Sequence, residues 1–333
     1  MNIINEIEAT LHCATAEIKT VMITGDHKLT ATAIAEEIGN AQKRDLTLTG
    51  EELKEMDDSR FEEIVYRVSV YARVSTAHKQ KIMKALKARG HIVAMTGDGV
   101  NDAPAVKNAD IGISMGITGT NVTKEVSHMI LADDNFATIV GAVEQGRIIF
   151  DNIRKYTCFL IAANFDELFL LSIFFFVGLP IPLLPAMILW INLVTDGGPA
   201  IALSVDPVEE DVMNRPPRNP KEGILHGMLS YILTSFFVMT IGSIIIFLLE
   251  TWPYISTGLQ IPDEVLSKAR TAVFIQSVFF ELFIVWNCRS EKHGVWRMNP
   301  FKNKYLLLSV LFTFLSEEIH RYIFCNFDWI PAE

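Results

Sequence analysis

The spacing of apolar residues changes character near residue 155. Before it, short apolar runs alternate with amphipathic stretches. Val21-Met22-Ile23 reads as a buried strand, and the pattern over 30–38 reads as a helix stopped by Gly39. The runs at 68–72, 91–95, 111–113 and 129–131 read as further strands, and 79–89 as a cationic helix ended by Gly90. Strand, helix and strand at this spacing predict parallel pairing through right-handed crossovers. After residue 155 the apolar runs lengthen. Residues 156–178 carry only Asp166 and Glu167 as charges, 183–205 only Asp196, 227–249 none, and 271–287 only Glu281. Each is long enough, or nearly so, to cross a hydrocarbon layer about 30 Å thick. The expected architecture is therefore an α/β domain over 1–150 followed by an all-α membrane domain over 151–315.

Charge in the connecting loops orients these spans. Arg215, Arg218 and Lys221 lie between the second and third, and Arg289, Lys292, Arg297, Lys302 and Lys304 follow the fourth. The loop between the first two has no Lys or Arg; that between the third and fourth has Lys268 and Arg270. The excess of positive charge places these basic loops and the α/β segment in the cytoplasm, with the lipid bilayer as the other environment. Half of the 333 residues are hydrophobic and the net charge is −10, which argues against a nucleic-acid partner. Cys13, Cys158, Cys288 and Cys325 are widely spaced, so neither a disulfide framework nor a zinc site is expected. The first thirty residues hold no apolar core behind a basic start, so no signal peptide is expected.

The run Thr96-Gly97-Asp98-Gly99-Val100-Asn101-Asp102 follows a strand, which sets Asp98 and Asp102 at the carboxyl edge of a parallel sheet, where α/β folds bind ligands. Two carboxylates on a glycine-softened turn suit Mg²⁺, which takes one or two carboxylates together with phosphate oxygens and water. Thr24, at the end of another strand, is placed to hydrogen-bond a phosphoryl oxygen, and Lys79 to neutralise its charge. An Asp/Gly cluster is also an ordinary turn, and Thr24-Gly25-Asp26 alone reads better that way.

Met22-Ile23-Thr24-Gly25-Asp26-His27-Lys28, Ala72-Arg73-Val74 with His78-Lys79, and the decapeptide from Thr96 to Ala105 together resemble the phosphorylation domain of P-type cation-transporting ATPases. The resemblance implies a haloacid-dehalogenase-like Rossmannoid fold, Mg²⁺ held by Asp98, and Asn101 and Asp102 positioning phosphate and metal. It implies Thr24 and Lys79 on the phosphoryl group, and Gly25, Asp26 and Arg73 on the ATP side.

Ionisable groups inside a span mark function. Asn164 and Glu167 are three apart and share a helix face; Asn192, Thr195 and Asp196 do likewise, and Gly197-Gly198-Pro199 weakens the backbone ladder beside them. Glu281 lies midway in the fourth span. Such oxygen donors suit Ca²⁺, Na⁺ or H⁺ rather than a soft metal, although mutual interhelical hydrogen bonds are the alternative. Asn164-Phe165-Asp166-Glu167, Asn192 to Gly197 and Arg215-Pro216-Pro217-Arg218 resemble the fifth and sixth transmembrane helices, and the loop after them, of calcium pumps of the endoplasmic-reticulum type. Asn192 stands where sodium/potassium pumps have aspartate, and Glu281 matches an eighth-helix carboxylate that goes with a second calcium site. The sequence departs from those calcium pumps at Asp166, where they have glycine, and at Ile284, where they have asparagine.

The family's phosphorylated aspartate sits in an Asp-Lys-Thr-Gly-Thr run, and this sequence contains none. The expectation is the carboxyl-terminal portion of an ATP-driven Ca²⁺ or Na⁺ pump, alone forming no phosphoenzyme; the alternative is an inactive membrane fragment or one half of a split pump that needs the missing amino-terminal half. A free-standing phosphatase is disfavoured because no nucleophilic aspartate precedes Thr24. Residues 305–315 begin a fifth span, and charges at Glu317, Glu318 and Arg321 lead to the expectation that 316–333 is a tail foreign to the pump pattern.

Overall fold

Capping and short apolar runs set the rhythm of the first part of the chain. In the computed structural model, helix α1 (Ile3–Thr15) precedes β1 (Met22–Ile23), α2 (Lys28–Glu37) and β2 (Leu46–Thr49). Two short helices follow, α3 (Gly50–Glu55) and α4 (Asp58–Ile64), the first opened by a reciprocal capping box between Thr49 and Glu52 and the second by Asp57. Then come β3 (Val68–Ala72), α5 (Thr76–Ala88), β4 (Ala94–Gly97), α6 (Ala103–Asn108), β5 (Ile111–Met115), α7 (Asn121–Val126) and β6 (Met129–Leu131). The structure describes residues 3–42, 44–290 and 294–326. Lys292, the residues 327–333 and the side chains of 317–326, Cys325 among them, lie outside that description.

The strands form two parallel sheets of three, ordered β1-β3-β2 and β4-β5-β6. All five residues of β3 are buried, as a strand flanked on both sides requires. Ile23 of β1 packs into the cluster holding Met95 of β4. Among the described residues, however, no ladder joins the two sheets, so β1 and β4 each keep an open edge. The expected strand at 91–95 enters its sheet three residues later. Val93 is instead tied across to Asp110: its N–H donates to Asp110 Oδ2 at 2.9 Å and its carbonyl accepts from Asp110 N at 3.0 Å.

The remaining helices are long. α8 (Phe136–Val177) begins twenty residues before the expected first span. The second span is composite: α9 (Pro185–Trp190), a π-helical turn over Ile191–Thr195, and α10 (Gly197–Ser204). α11 (Leu229–Thr257) ends on Gly258, whose φ of +68° is the left-handed cap that only glycine adopts cheaply. α12 (Asp263–Asn287) and α13 (Lys304–Asn326) complete the order. α13 runs as one helix through residue 315, past the expected end of the pump-like pattern. Among the described residues, four helices are long and apolar enough to cross a membrane: α8, the α9–α10 composite, α11 and α12. Their burial is inverted relative to a water-soluble bundle. Phe176, Leu189, Ile201, Ile241 and Leu249 face outward, while Asp166, Thr195, Asp196, Ser243, Ser277 and Glu281 are buried.

By contacts the chain divides into Met1–Gly146 with Glu210–Arg218, and Arg147–Glu209 with Asn219–Glu333. The loop over 210–218, expected between two spans, thus joins the first unit, where Met213 packs against Ala9, Cys13 and Val140.

Candidate functional site

In the first unit the expected phosphate-handling residues lie in two groups, one at the ends of β1 and β3 and one at the carboxyl end of β4. Thr24 leaves β1 with its N–H still bonded to the Tyr71 carbonyl of β3 at 2.9 Å. Its hydroxyl donates to Asp26 Oδ2 at 2.8 Å, closing the Thr24-Gly25-Asp26 turn. Arg73 follows β3 in a left-handed conformation, φ +51°, and its N–H donates to the Asp26 carbonyl at 3.1 Å. Across the neighbouring sheet, Gly97 ends β4 against α6. A Cβ there would lie 2.5 Å from Asp102 Cβ and 2.9 Å from Val106 Cγ2, so glycine is what lets the Asp98–Asp102 turn fold this close. Lys79 on α5 meets Asp102 Oδ1 at 2.5 Å, a half-buried charge pair. Asp98 and Asn101 are exposed, and the Asp98 carboxylate makes no hydrogen bond or ion pair within the described residues. The Asp98 backbone is held instead: its carbonyl accepts from Thr120 N at 2.8 Å. An open carboxylate beside a neutralised one is the donor set a hard cation with phosphate oxygens would use, so the residues present fit Mg²⁺.

The loop beyond β5 is pinned by a residue that sequence reading passed over. Asp134, itself at φ +51°, accepts from the N–H of Ile117 at 3.0 Å and from the N–H and hydroxyl of Thr118, both at 2.7 Å. Desolvation would raise its carboxyl, but these donors outweigh it and hold it at about 2.

In the second unit, buried oxygens on three elements converge. Glu167 of α8 accepts at Oε2 from Asn192 Nδ2 of the π-helical turn at 2.8 Å. Glu281 of α12, 1 % exposed, lies in electrostatic range of Asp196, Glu167 and Asp166. Glu167 Oε1, Thr195 Oγ1, Asp196 Oδ1, Ser277 Oγ and both carboxyl oxygens of Glu281 are buried without a hydrogen-bond partner. Orphaned polar atoms at this density are rare in native interiors and call for an explanation. The π-helical turn adds to them. Asp196 N bonds back to the Ile191 carbonyl at 2.9 Å, one residue farther than in an α-helix, which dislocates the ladder beside Asn192 and Thr195. Among the described residues, no three His, Cys, Asp or Glu side chains form a metal-holding group by themselves. A cation here would therefore draw on the Thr195 hydroxyl, the Asn192 amide and main-chain carbonyls as well.

Asn164 is not brought in. It is exposed, and its amide donates to its own helix at the Leu160 carbonyl, 2.8 Å away. Conversely, sequence reading missed the far wall of the cluster. The Thr240 hydroxyl of α11 donates to Asp166, and Ser243 of α11 donates to Gln276 of α12 at 2.6 Å. A Thr-x-x-Ser step in the apolar stretch over 236–249 was the available signal.

Residues 3–110 match the family described as haloacid dehalogenase-like hydrolase, and 180–323 match the carboxyl terminus of cation-transporting ATPases. That second match extends eight residues past the expected limit at 315. The chain is 46 % identical over 309 residues to a calcium-transporting ATPase of Bacillus subtilis, covering 92 % of this chain and 34 % of that protein. It is 41 % identical over 302 residues to a probable cation-transporting ATPase F of Mycobacterium bovis, 90 % of this chain and 32 % of that protein. It is 39 % identical over 315 residues to calcium-transporting ATPase type 2C member 1 of Bos taurus, 94 % of this chain and 32 % of that protein. The chain thus spans about a third of the length of the curated relatives it matches. With four membrane-capable helices beside a haloacid-dehalogenase-like part, it is a multi-pass membrane protein. In sequence and in the order of its matched segments the chain is like the carboxyl-terminal part of P-type cation-transporting ATPases, calcium pumps among them.

Proposed function

We propose that this chain carries the cation-binding helices and the Mg²⁺- and phosphate-handling edge of an ATP-driven Ca²⁺ pump. One observation carries the reading: the unpartnered buried oxygens of Glu167, Thr195, Asp196, Ser277 and Glu281, on three separate elements. An all-oxygen set with several carboxylates suits Ca²⁺, which accepts six to eight oxygens in a flexible geometry, better than a soft metal. Glu167, Asn192, Thr195, Asp196 and Glu281 are the ligands on this reading; Asn164 would have to turn from its own helix to join them. Na⁺ is the competing cargo.

At the other site Asp98 would hold Mg²⁺, which when bound offsets the charge of transferring phosphate. Thr24 and Lys79 orient and neutralise the phosphoryl oxygens, Asp102 and Asn101 hold the turn and its ligands in place, and Gly25, Asp26 and Arg73 line the ATP side. Lys79 is fixed for that role by its 2.5 Å contact with Asp102. The aspartate that accepts phosphate is supplied by sequence other than this, since no Asp-Lys-Thr-Gly-Thr run occurs in it. The nearest test is equilibrium ⁴⁵Ca²⁺ binding to the chain in lipid nanodiscs. Saturable binding that falls at least tenfold in Glu167→Gln or Asp196→Asn is expected. Binding unaffected by both substitutions, or displaced equally well by Na⁺ at the same concentration, would refute the assignment.

A further inference from the structure

One carboxylate ties four parts of the second unit together. Asp206, 5 % exposed, lies two residues past α10. Its Oδ2 accepts from Lys155 Nζ of α8 at 3.0 Å. Its Oδ1 accepts from Arg289 Nε, just past α12, at 3.0 Å and from Asn303 Nδ2, just ahead of α13, at 2.8 Å. Its main-chain carbonyl accepts from Asn152 Nδ2 of α8 at 3.0 Å. Lys155, Arg289, Asn303 and Asn152 are all buried, and Arg289 Nη1 also donates to the Asn299 carbonyl at 3.1 Å.

A buried ionic node of this kind is weak evidence for stability, because well-packed apolar replacements are often as stable or more so. What it fixes is geometry. A two-oxygen acceptor that takes a guanidinium, an ammonium and a carboxamide admits one mutual arrangement of their backbones. Two of those backbones, and that of Asp206 itself, lead to the orphaned oxygens. Glu167 is twelve residues along α8 from Lys155, Asp196 ten residues before Asp206, and Glu281 eight residues before Arg289. At about 1.5 Å per helical residue, the node stands on the order of 12–18 Å from the cation ligands along each element. Because α8 and α12 run as continuous helices over that length, rotation or slippage at the node moves their ligand oxygens. We infer that Asp206 is a positioning residue that sets the mutual register of α8, α10 and α12, and through it the geometry of the cation cavity.

This rests on the cation-binding reading above, and the test separates the two. ⁴⁵Ca²⁺ binding is measured on the full chain in nanodiscs, with helical content and melting temperature recorded alongside. Asp206→Asn keeps the shape and removes the charge both cations need; affinity is expected to fall at least tenfold. Asp206→Glu, which keeps the charge, is expected to lose less. Lys155 also lies 3.4 Å from Glu209 Oε1, so the charge-free combination Asp206→Leu, Lys155→Met, Arg289→Met, Glu209→Gln removes every ion of the node; it is expected to melt at or above the wild-type temperature while still binding Ca²⁺ at least tenfold more weakly. Wild-type affinity in that folded combination overturns the positioning role. A wild-type chain that binds no Ca²⁺ overturns the cation reading itself.

Discussion

Asp134 shows how a single carboxylate shapes the first unit. Its three donors hold the loop that follows β5, and it does so only while ionised. An unfolded aspartate titrates near 3.9, whereas burial is outweighed here by hydrogen bonds that bring Asp134 to about 2. A folded-state value below the unfolded one means that its stabilisation is complete above about pH 4 and fades as the pH falls toward 2. Asp134→Asn is therefore expected to lower the melting temperature of the first unit at pH 7, with the gap to wild type closing between about pH 4 and 2. Calorimetry of the chain in nanodiscs across that range checks it, and a gap that persists unchanged at pH 2 would show that the charge is not responsible. Neither Asp134 nor Asp206 was legible from the sequence. Asp134 lies sixteen residues from Thr118, and Asp206 lies 51, 83 and 97 residues from Lys155, Arg289 and Asn303, so nothing local announces either partnership.

Among elements, legibility followed the strength of the local pattern. The strands at 68–72 and 129–131 were read at their observed bounds because an apolar run between turns is itself the signal. β2, four residues of Leu-Thr-Leu-Thr, alternates correctly but is too short to stand out. The π-helical turn over Ile191–Thr195 was foreseen only as a weakened ladder near Gly197 and Gly198. Its surroundings come from a helix more than a hundred residues away: Thr313 of α13 donates to the Val194 carbonyl at 3.3 Å, and a Cβ on Gly198 would lie 2.5 Å from Ser309 Oγ. The face shared by Asn164 and Glu167 was also over-read, because an amide can bond its own helix four residues back. The edge strands yield a prediction at this scale. β3 and β5 are paired on both sides while β1, β2, β4 and β6 are paired on one. Amide hydrogen exchange in the first unit should therefore be slowest in β3 and β5 and markedly faster in β1, β2, β4 and β6. Equal protection across all of them would mean that the edges are covered in solution.

At the scale of the whole molecule the question is what balances the buried charge. Glu281 lies within electrostatic range of Asp166, Glu167 and Asp196 in a region whose outer faces are apolar; among the described residues Thr240 donates to Asp166 and Asn192 to Glu167, while the Asp196 and Glu281 carboxyls face each other. Ionised carboxylates out of water are expensive unless a counter-charge joins them. The buried basic groups described in this unit do not fill that role: Lys155 and Arg289 are taken by Asp206. A bound cation then stabilises the fold by mass action, about 2.7 kcal/mol at a hundredfold excess over Kd. Ca²⁺ tolerates a large, irregular oxygen set, whereas Mg²⁺ demands near-octahedral geometry and gives up its water reluctantly. On the Ca²⁺-pump reading, Ca²⁺ should raise the melting temperature of the nanodisc-embedded chain by several degrees, chelation should reverse the rise, and Mg²⁺ at the same concentration should give a smaller one. Glu281→Gln should shrink the Ca²⁺ shift most, since its carboxyl is fully buried and faces the Asp196 carboxyl rather than a donor. Equal shifts from the two ions, or a Ca²⁺ shift that Glu281→Gln leaves intact, would locate the binding elsewhere and leave the orphaned oxygens without a cation to explain them.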